Sequence, residues 1–301
     1  MSTSAARELS VVIPVFNEEN AIITTLEDVY SILSTTDIAF EIVLVNDGSS
    51  DGTRNNLDRY LKEHPELNTN VSVVHHERNR GYGASLKTGI RRTRYATVAI
   101  TDADSTYPNG RLPDLFDEYI RGGYDMVVGQ RSFKKLPTLT KPAKWFISKL
   151  ANFLVDDNIK DINSGLRIFK KEIAIKFFPI ICEGFSFTTT ITLAMMSNNY
   201  AVKYVPIEYY KREGKSKIKP IRDTLNFIAL VIRTVMYFNP LKIFIPISLL
   251  MFLTSITFFV LGQTGVLDES PNDTITVLFV GGIQVLVTGM IADLIDKRIT
   301  K

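Results

Sequence analysis

Two long runs of uncharged residues near the C-terminus restrict this 301-residue chain more than any other feature. The first extends from Ile243 to Leu267 and the second from Thr274 to Ala292. At about 1.5 Å per residue, each run is long enough to cross a hydrocarbon layer of about 30 Å as a helix. The alternative is a pair of buried core helices, but core helices rarely run this far without a polar face. We therefore expect two transmembrane helices, at about 243–263 and 274–294.

The charges around these runs predict how the chain lies in a membrane. The connecting stretch GQTGVLDESPND contains three acids and no Lys or Arg. Basic residues dominate from Lys203 to Lys242 and return at Lys297, Arg298 and Lys301. Cytoplasmic flanks of membrane helices are enriched in Lys and Arg. The expected protein is thus multi-pass, with two helices, both termini cytoplasmic and a short acidic loop outside.

The composition excludes several other classes of protein. Hydrophobic residues make up 45% and charged residues 22%, which excludes a wholly disordered chain. The net charge of +3 is too small and too mixed to indicate nucleic acid, which we do not expect as a partner. The opening residues MSTSAARELSVVIPVF lack the pattern of a signal peptide. We expect everything before the membrane runs to stay in the cytoplasm.

The residues before the membrane runs alternate between strand-like and helix-like segments. The strand-like segments are LSVVIPVF, FEIVLVND, VSVVHH, YATVAITDAD and YDMVVGQ. Helices are expected to end near Leu33 and to cover Thr53 to Glu63, Ser85 to Thr93 and Leu112 to Arg121. This alternation predicts an α/β fold with a mostly parallel, doubly wound sheet. Ligands of such sheets bind beyond the carboxyl ends of the strands, where PVFNEE, NDGSSDGT and DADSTYP lie.

Acidic residues at two of these strand ends suggest their chemistry. Asp102 and Asp104 flank Ala103 directly after the strand YATVAIT. Two carboxylates separated by one residue point the same way, which predicts a site for Mg²⁺ or Mn²⁺ beside a diphosphate. Asp47 ends the second strand, where its carboxylate either accepts a hydrogen bond from a base N–H or caps the following helix. The residues alone leave both interpretations open.

Two glycine motifs argue against other enzyme classes. Gly81 and Gly83 begin a dinucleotide-binding pattern, but Leu86 stands where its third glycine belongs, so hydride transfer is disfavoured. The tripeptide at 214–216, Gly-Lys-Ser, resembles the end of a Walker A loop. Tyr209 occupies the position of that loop's first glycine, which disfavours a nucleotide-hydrolysing motor.

The order and spacing of the strand-end motifs carry a more specific resemblance. VIPVFNEE, VNDGSSDGT and TDADSTYP resemble the nucleotide-sugar-binding half of glycosyltransferase family 2, with its GT-A fold. YDMVVGQRS, KDINSGLRIFKKE, EGFSFTTTITLA and REGKSKI resemble the dolichol-phosphate mannose synthase branch and its bacterial polyprenyl-phosphate relatives. The resemblance covers roughly Leu9 to Pro220, most of the chain before the membrane runs.

The resemblance implies roles for the residues that match these motifs. The implied donor contacts are Pro14, Phe16, Glu18, Val45, Asp47, Asp102, Ala103, Asp104, Lys211, Arg212 and Lys217. The implied contacts to an acceptor phosphate are Arg131, Lys144 and Ser148, and the implied catalytic residues are Asp102, Asp104 and Arg131.

This sequence departs from the family's pattern at three of its site positions. Thr106 replaces the usual glutamine, so the implied metal set of Asp102, Asp104 and Thr106 contains a shorter and weaker ligand. Phe16 replaces a usual tyrosine and keeps the ring without the hydroxyl. Lys144 replaces an arginine and loses its bidentate fork.

Two amphipathic segments complete the predicted domain organisation. KPAKWFISKLANFLV and PIRDTLNFIALVIRTVMYF mix basic residues with wide apolar faces, as helices at a membrane surface do. We expect a GT-A catalytic domain over 1–220 that includes one interfacial helix at about 142–156. A juxtamembrane interfacial helix over 221–240 and a two-helix transmembrane anchor over 241–301 follow.

The combined expectation is an inverting glycosyltransferase that uses Mg²⁺ or Mn²⁺. It would move a hexose, with mannose and glucose favoured, from a GDP- or UDP-linked sugar to a dolichyl or undecaprenyl type of polyprenyl phosphate. A phosphate acceptor is already ionised at neutral pH and needs no general base. The alternatives are an enzyme of the same fold with a hydroxyl acceptor and an inactive anchor that recruits partners. The glycines Gly281, Gly282 and Gly289 allow close helix packing, including self-association.

Overall fold

Alternating strands and helices build the N-terminal two thirds of the protein, and two long helices follow. The computed structural model describes residues 7–131, 159–181, 183–184, 187–210, 229, 232–234, 236–237, 239–264 and 272–299. The strands are β1 (Glu8–Val15), β2 (Ala39–Asn46), β3 (Val71–His75), β4 (Thr97–Ile100), β5 (Met126–Arg131), β6 (Arg167–Lys170) and β7 (Val202–Ile207). The helices are α1 (Ile22–Ser34), α2 (Thr53–Glu63), α3 (Tyr82–Arg92), α4 (Leu112–Gly122), α5 (Lys171–Lys176), α6 (Phe187–Ser197), α7 (Leu241–Gln263) and α8 (Asn272–Ile299). Short 3₁₀ turns occupy Pro65–Thr69 and Asn109–Arg111.

The strands form one sheet in the order β3-β2-β1-β4-β6-β5-β7. β6 runs antiparallel to both of its neighbours, β4 and β5, whereas the other neighbouring strands are parallel. The predicted α/β fold with a mostly parallel sheet is therefore confirmed. The sequence patterns did not reveal β6 and β7. β6 is only four residues long and begins with an arginine, and β7 contains Pro206, which the sheet tolerates because β7 lies at its edge.

Both faces of the central strands are buried, which explains their nearly continuous apolar sequences. Val12 and Val43 face one apolar layer, which includes residues of α3 and α6. Val11 and Leu44 face the other layer, which includes residues of α1 and α4. The strand ends that carry the polar motifs are thereby fixed by packing on both sides of the sheet.

Helices α7 and α8 are long and apolar enough to cross a membrane. Only 11% of the most apolar stretch of each helix is buried, so neither is the core helix of a soluble domain. Their observed bounds contain the predicted spans at 243–263 and 274–294. The predicted interfacial helix at 142–156 lies outside the described residues, as does most of the one at 221–240. The predicted domain boundaries stay predictions.

The glycines of α8 lie against α7 of the same chain. Gly281 approaches Met251, Gly282 approaches Phe252, and Gly289 approaches Phe244. A Cβ on any of them would meet these side chains at 2.5 to 2.8 Å. The glycines therefore allow α8 to pack closely against α7 within one chain. Self-association through the same glycines would require a second chain to replace α7 at this surface.

The end of β2 approaches the chain after β3 unusually closely at Gly48. A Cβ on Gly48 would lie 2.5 Å from the carbonyl carbon of Arg78 and 2.7 Å from the backbone nitrogen of Asn79. Gly48 also has a φ of +65°, in the left-handed region that favours glycine. Space and backbone conformation therefore both require a glycine here.

We expect Gly48→Ala to destabilise the protein, because backbone atoms cannot move aside as a flexible side chain can. Overpacking costs about 1–3 kcal/mol and the left-handed conformation about 1 kcal/mol more. Thermal unfolding of the full chain in detergent should show a midpoint several degrees lower. Gly110→Ala is the control, since nothing lies within 4 Å of a Cβ there. Equal midpoints for the two variants would contradict the prediction.

Candidate functional site

Three polar turns meet at the carboxyl edge of β2, β1 and β4, which are neighbours in the sheet. Each turn contains a residue in the left-handed region: Asn17 (φ 56°), Gly48 (φ 65°) and Ser105 (φ 56°). For residues other than glycine this conformation costs about 1–2 kcal/mol, so surrounding contacts must maintain it. The three predicted motifs PVFNEE, NDGSSDGT and DADSTYP therefore lie together on one side of the fold.

Hydrogen bonds join the first two turns into one surface. The Asn17 amide donates to Ser49 Oγ at 2.9 Å, and the Ser50 amide donates to Asn17 Oδ1 at 2.8 Å. The Glu18 amide donates to Thr53 Oγ1 at 3.0 Å. These side chains satisfy backbone groups of the opposite turn, which fixes the two turns relative to each other.

The predicted donor contacts of the first two strands differ in exposure. Phe16, at the end of β1, has 39% of its surface exposed, so its ring is available for stacking. Pro14 and Val45 are buried and pair with each other in register between β1 and β2. Glu18 is partly buried and lies just beyond Phe16. Of the four, Phe16 offers the largest apolar surface to a ligand.

Asp47 is buried and bound by a distant part of the chain. The amides of Arg80 and Gly81 donate to its two carboxylate oxygens at 2.9 and 2.8 Å. His76 Nδ1 lies 2.7 Å from Asp47 Oδ1, and His76 Nε2 lies 3.0 Å from Thr88 Oγ1. Asp47 thus fixes the loop before α3 and does not cap α2, the second interpretation that the sequence left open.

The two carboxylates of the predicted metal motif have different surroundings. Tyr82 Oη donates to Asp102 Oδ1 at 2.9 Å. Asp104 Oδ1 accepts from the amide and the hydroxyl of Thr106, at 3.2 and 2.7 Å. Thr106 is buried and orients Asp104 through these bonds. Ala103, between the carboxylates, is also buried.

The donor atoms at this edge fit a divalent ion that is shared with a diphosphate. Among the described residues, no group of three or more His, Cys, Asp and Glu residues could hold a metal alone. Mg²⁺ is commonly bound by one or two carboxylates together with substrate phosphates and water. Asp102 and Asp104 are partly exposed and supply such hard oxygen ligands.

Arg131 is the last residue of β5 and forms an ion pair with Asp161. Its Nε and one terminal nitrogen donate to the two oxygens of Asp161 at 2.8 and 2.9 Å, and its guanidinium lies 5.3 Å from the centre of the Tyr209 ring. Burial alone would lower the pKa of Arg131, but the hydrogen bonds from its side chain to Asp161 raise it above the usual value. Asp161 lies in the motif KDINSGLRIFKKE, from which no role for it was predicted.

A fully buried arginine supports the segment that carries Asp161. The Arg167 guanidinium donates to the carbonyl of Ser164, to the Thr188 carbonyl at 3.1 Å and to Thr192 Oγ1 at 2.8 Å. Burial lowers the pKa of Arg167. Two residues earlier, the Gly165 amide donates to Tyr107 Oη at 2.7 Å, so this segment also contacts the turn after β4. Arg167 was not predicted from its sequence position, because arginine is uncommon among fully buried core residues.

The amides at the glycine-rich start of α3 form hydrogen bonds to another segment of the protein. The amides of Gly83 and Ala84 donate to the carbonyls of Gly184 and Glu183 at 3.0 and 2.9 Å. A helix start binds phosphate through such free N–H groups. Gly81 and Gly83 therefore serve packing here, in agreement with the incomplete dinucleotide pattern.

Several predicted cationic and acceptor residues lie outside the described residues, namely Lys144, Ser148, Lys211, Arg212 and Lys217. The chain nevertheless returns to the metal motif just before Lys211. The Tyr210 amide donates to the Thr106 carbonyl at 3.0 Å, and the Tyr107 and Tyr209 rings are 5.4 Å apart. Tyr209 and Tyr210, which directly precede the predicted basic loop in the sequence, thus contact the turn after β4.

Comparison with known proteins identifies the family. Residues 10–178 match the family model described as Glycosyl transferase family 2. The chain belongs to glycosyl transferase family 2. The predicted family is confirmed, and this protein is a glycosyltransferase. Residues 239–297 match a second model, described as the GtrB C-terminal hairpin, which covers most of α7 and α8.

Individual relatives align with different shares of this glycosyltransferase. A dolichyl-phosphate hexose transferase from Haloferax volcanii is 32% identical over 71% of this chain and 87% of its own. A dodecaprenyl-phosphate galacturonate synthase from Rhizobium johnstonii is 25% identical over 96% of this chain and 88% of its own. The glucosyl-3-phosphoglycerate synthase of Mycobacterium tuberculosis, solved with Mn²⁺, UDP-glucose and phosphoglyceric acid, matches with a TM-score of 0.59. It is 18% identical and covers 77% of this chain and 80% of its own, which confirms the GT-A fold.

We expect Asp161→Asn to destabilise this enzyme, because it removes the negative charge that pairs with the partly buried guanidinium of Arg131. Removing one member of a buried ion pair costs about 3–5 kcal/mol, and the remaining exposure of Arg131 reduces this to about 2–3 kcal/mol. Asp114→Asn is the matched control, since its pair with Arg111 is exposed and spans 3.1 Å. Thermal unfolding should show a clearly lower midpoint temperature for Asp161→Asn and little change for Asp114→Asn. Equal losses would contradict the prediction.

Proposed function

We propose that this glycosyltransferase moves a hexose from a nucleotide diphosphate sugar to a polyprenyl phosphate, with inversion at the anomeric carbon. The observation that carries the proposal is the union of a family 2 catalytic domain with a C-terminal membrane hairpin in one chain. The Rhizobium johnstonii relative, whose name includes dodecaprenyl phosphate, aligns with 96% of the chain and so includes both parts. The shared architecture supports a lipid-linked acceptor.

We propose that the donor binds across the carboxyl edge of β2, β1 and β4. Phe16 would stack on the base, and Asp47 would fix the loop beside it. Asp102 and Asp104 would hold Mg²⁺ or Mn²⁺, which when bound supplies positive charge to the leaving diphosphate. The solved relative with Mn²⁺ and UDP-glucose supports the use of a divalent ion in this fold. The roles of Pro14, Glu18, Val45, Ala103 and Thr106 stay predictions of the resemblance.

The acceptor side would consist of Arg131 together with Lys144 and Ser148. A lipid phosphate oxygen would attack the anomeric carbon as the bond to the nucleoside diphosphate breaks, and no proton has to move. A mechanism without a general base agrees with the geometry around Arg131. Its partner Asp161 accepts hydrogen bonds from Arg131 at 2.8 and 2.9 Å and is poorly placed to act as a base. Lys211, Arg212 and Lys217 would close over the donor from the segment after β7.

We propose that α7 and α8 cross the membrane and leave the catalytic domain and both termini in the cytoplasm. The positive flanks and the acidic connection between the helices support this orientation. The segments 142–156 and 221–240 would lie at the membrane surface and bring the site to the level of the lipid head group. GDP- and UDP-linked donors, and mannose and glucose, are all compatible with this arrangement.

The acceptor can be tested with the purified full chain in lipid nanodiscs. GDP-mannose and UDP-glucose are each offered with Mn²⁺ and either a polyprenyl phosphate or the free polyprenol of the same length. We expect a lipid-linked hexose from the phosphate with one of the donors and none from the alcohol. Equal transfer to the alcohol would favour the alternative with a hydroxyl acceptor. Absence of both transfer and donor binding would favour the inactive anchor.

We expect Asp104→Ala to lower the transfer rate at least about 100-fold, because the divalent ion loses one of its two proposed carboxylate ligands. The variant should enter the membrane fraction as well as the unmodified chain does. Asp114→Ala, which removes an exposed carboxylate on α4, should keep full activity. Full activity of Asp104→Ala would refute the metal assignment.

A further inference from the structure

Two distant parts of the chain lie against the carboxylate of Asp102. Tyr82 Oη donates to Oδ1 at 2.9 Å. Gly165 lies so near that a Cβ would be 2.6 Å from Oδ2 and 2.9 Å from Oδ1. Asp104, in contrast, is oriented within its own turn by Thr106. The direction of Asp102 thus depends on contacts from α3 and from the segment before β6.

The backbone at Tyr82 is itself fixed. Tyr82 is the first residue of α3, and the preceding residue, Gly81, donates its amide to Asp47 Oδ2 at 2.8 Å. A Cβ on Gly81 would lie 2.6 Å from the Glu183 carbonyl oxygen, and the φ of Gly81 is +100°. The backbone from which the Tyr82 side chain extends is therefore positioned by the two neighbouring segments.

The chemistry of the phenol suits a permanent hydrogen-bond donor. A phenol ordinarily loses its proton only near pH 10, so at neutral pH its hydroxyl is available to donate a hydrogen bond to a carboxylate. The ring packs against the apolar layer of α3 and α6. A phenylalanine would fill the same space, and only the hydroxyl reaches Asp102.

We propose that Tyr82 is a positioning residue that directs the Asp102 carboxylate toward the donor diphosphate and its divalent ion. The inference rests on the proposed function. Gly81 and Tyr82 are adjacent, and they donate hydrogen bonds to Asp47 and Asp102 respectively. The start of α3 therefore connects the carboxylate at the proposed base end of the donor site with the one at the diphosphate end. Tyr82 acts through Asp102 and has no predicted contact with the sugar.

Tyr82→Phe tests this role, and Tyr60→Phe is the matched control. Tyr60 Oη also donates to a carboxylate, Glu27 Oε1, at 2.8 Å, but this pair joins α2 to α1 at the surface. Both substitutions remove one phenolic hydroxyl and one hydrogen bond to a carboxylate. Only Tyr82→Phe removes a bond to the predicted metal motif.

The measurement is calorimetric binding of UDP and GDP to the full chain in detergent, with Mn²⁺ and with EDTA. We expect Tyr82→Phe to weaken the Mn²⁺-dependent binding about 10-fold, the lower end of what loss of a partner behind a metal ligand causes. Binding in EDTA should change less than about threefold, and the unfolding midpoint should stay near that of Tyr60→Phe. Gly165→Ala, which would place a Cβ 2.6 Å from Asp102 Oδ2 and so displace the same carboxylate, should also weaken the Mn²⁺-dependent binding.

Each outcome is decisive. Unchanged Mn²⁺-dependent binding by Tyr82→Phe, with normal binding by the unmodified chain, would overturn this inference alone. A parallel loss with and without Mn²⁺, accompanied by a lower unfolding midpoint, would assign Tyr82 a structural role and also overturn it. If the unmodified chain binds neither nucleotide in the presence of Mn²⁺, the proposed function fails and the inference fails with it.

Discussion

The site depends on how its carboxylates are held by hydrogen-bond donors from elsewhere in the chain. Asp47 binds the backbone before α3, Asp102 accepts from Tyr82, and Asp161 binds Arg131. A carboxylate without such partners would turn toward water or pair with whichever cationic side chain lies within reach. The donors to Asp47 and Asp102 are adjacent at the start of α3, so the packing of α3 against the sheet bears on the direction of both carboxylates.

Much of the fold could be predicted from local patterns. Strands β1 to β5 are apolar runs that end in polar turns, and the helix from Thr53 to Glu63 has the predicted bounds. The edge that carries Asp47, Asp102 and Asp104 followed from the rule that parallel strands present ligands at their carboxyl ends. These features depend on residues close together in the sequence or on general rules of sheet architecture.

The parts that the sequence did not reveal depend on contacts between distant residues. Asp161 lies 30 positions from Arg131, and Tyr82 lies 20 positions from Asp102. Neither pairing has a local pattern, since a tyrosine at a helix start and an acid in a turn are common. Arg167 is hidden for another reason, because its partners are backbone carbonyls and a threonine hydroxyl, which no charge pattern marks. Strand β6 was missed together with it.

The pairing of Arg131 with Asp161 also bears on the chemistry that an anionic acceptor requires. Bringing a lipid phosphate beside a nucleoside diphosphate needs an excess of positive charge, and this pair is neutral as a unit. Under the proposed function, the additional charge would come from the divalent ion and from the predicted basic residues after β7. Tyr210, whose amide donates to the Thr106 carbonyl, directly precedes two of them, Lys211 and Arg212, in the sequence. The neutral pair would then position the acceptor, while the divalent ion and the predicted basic residues would supply the charge that draws the two anions together.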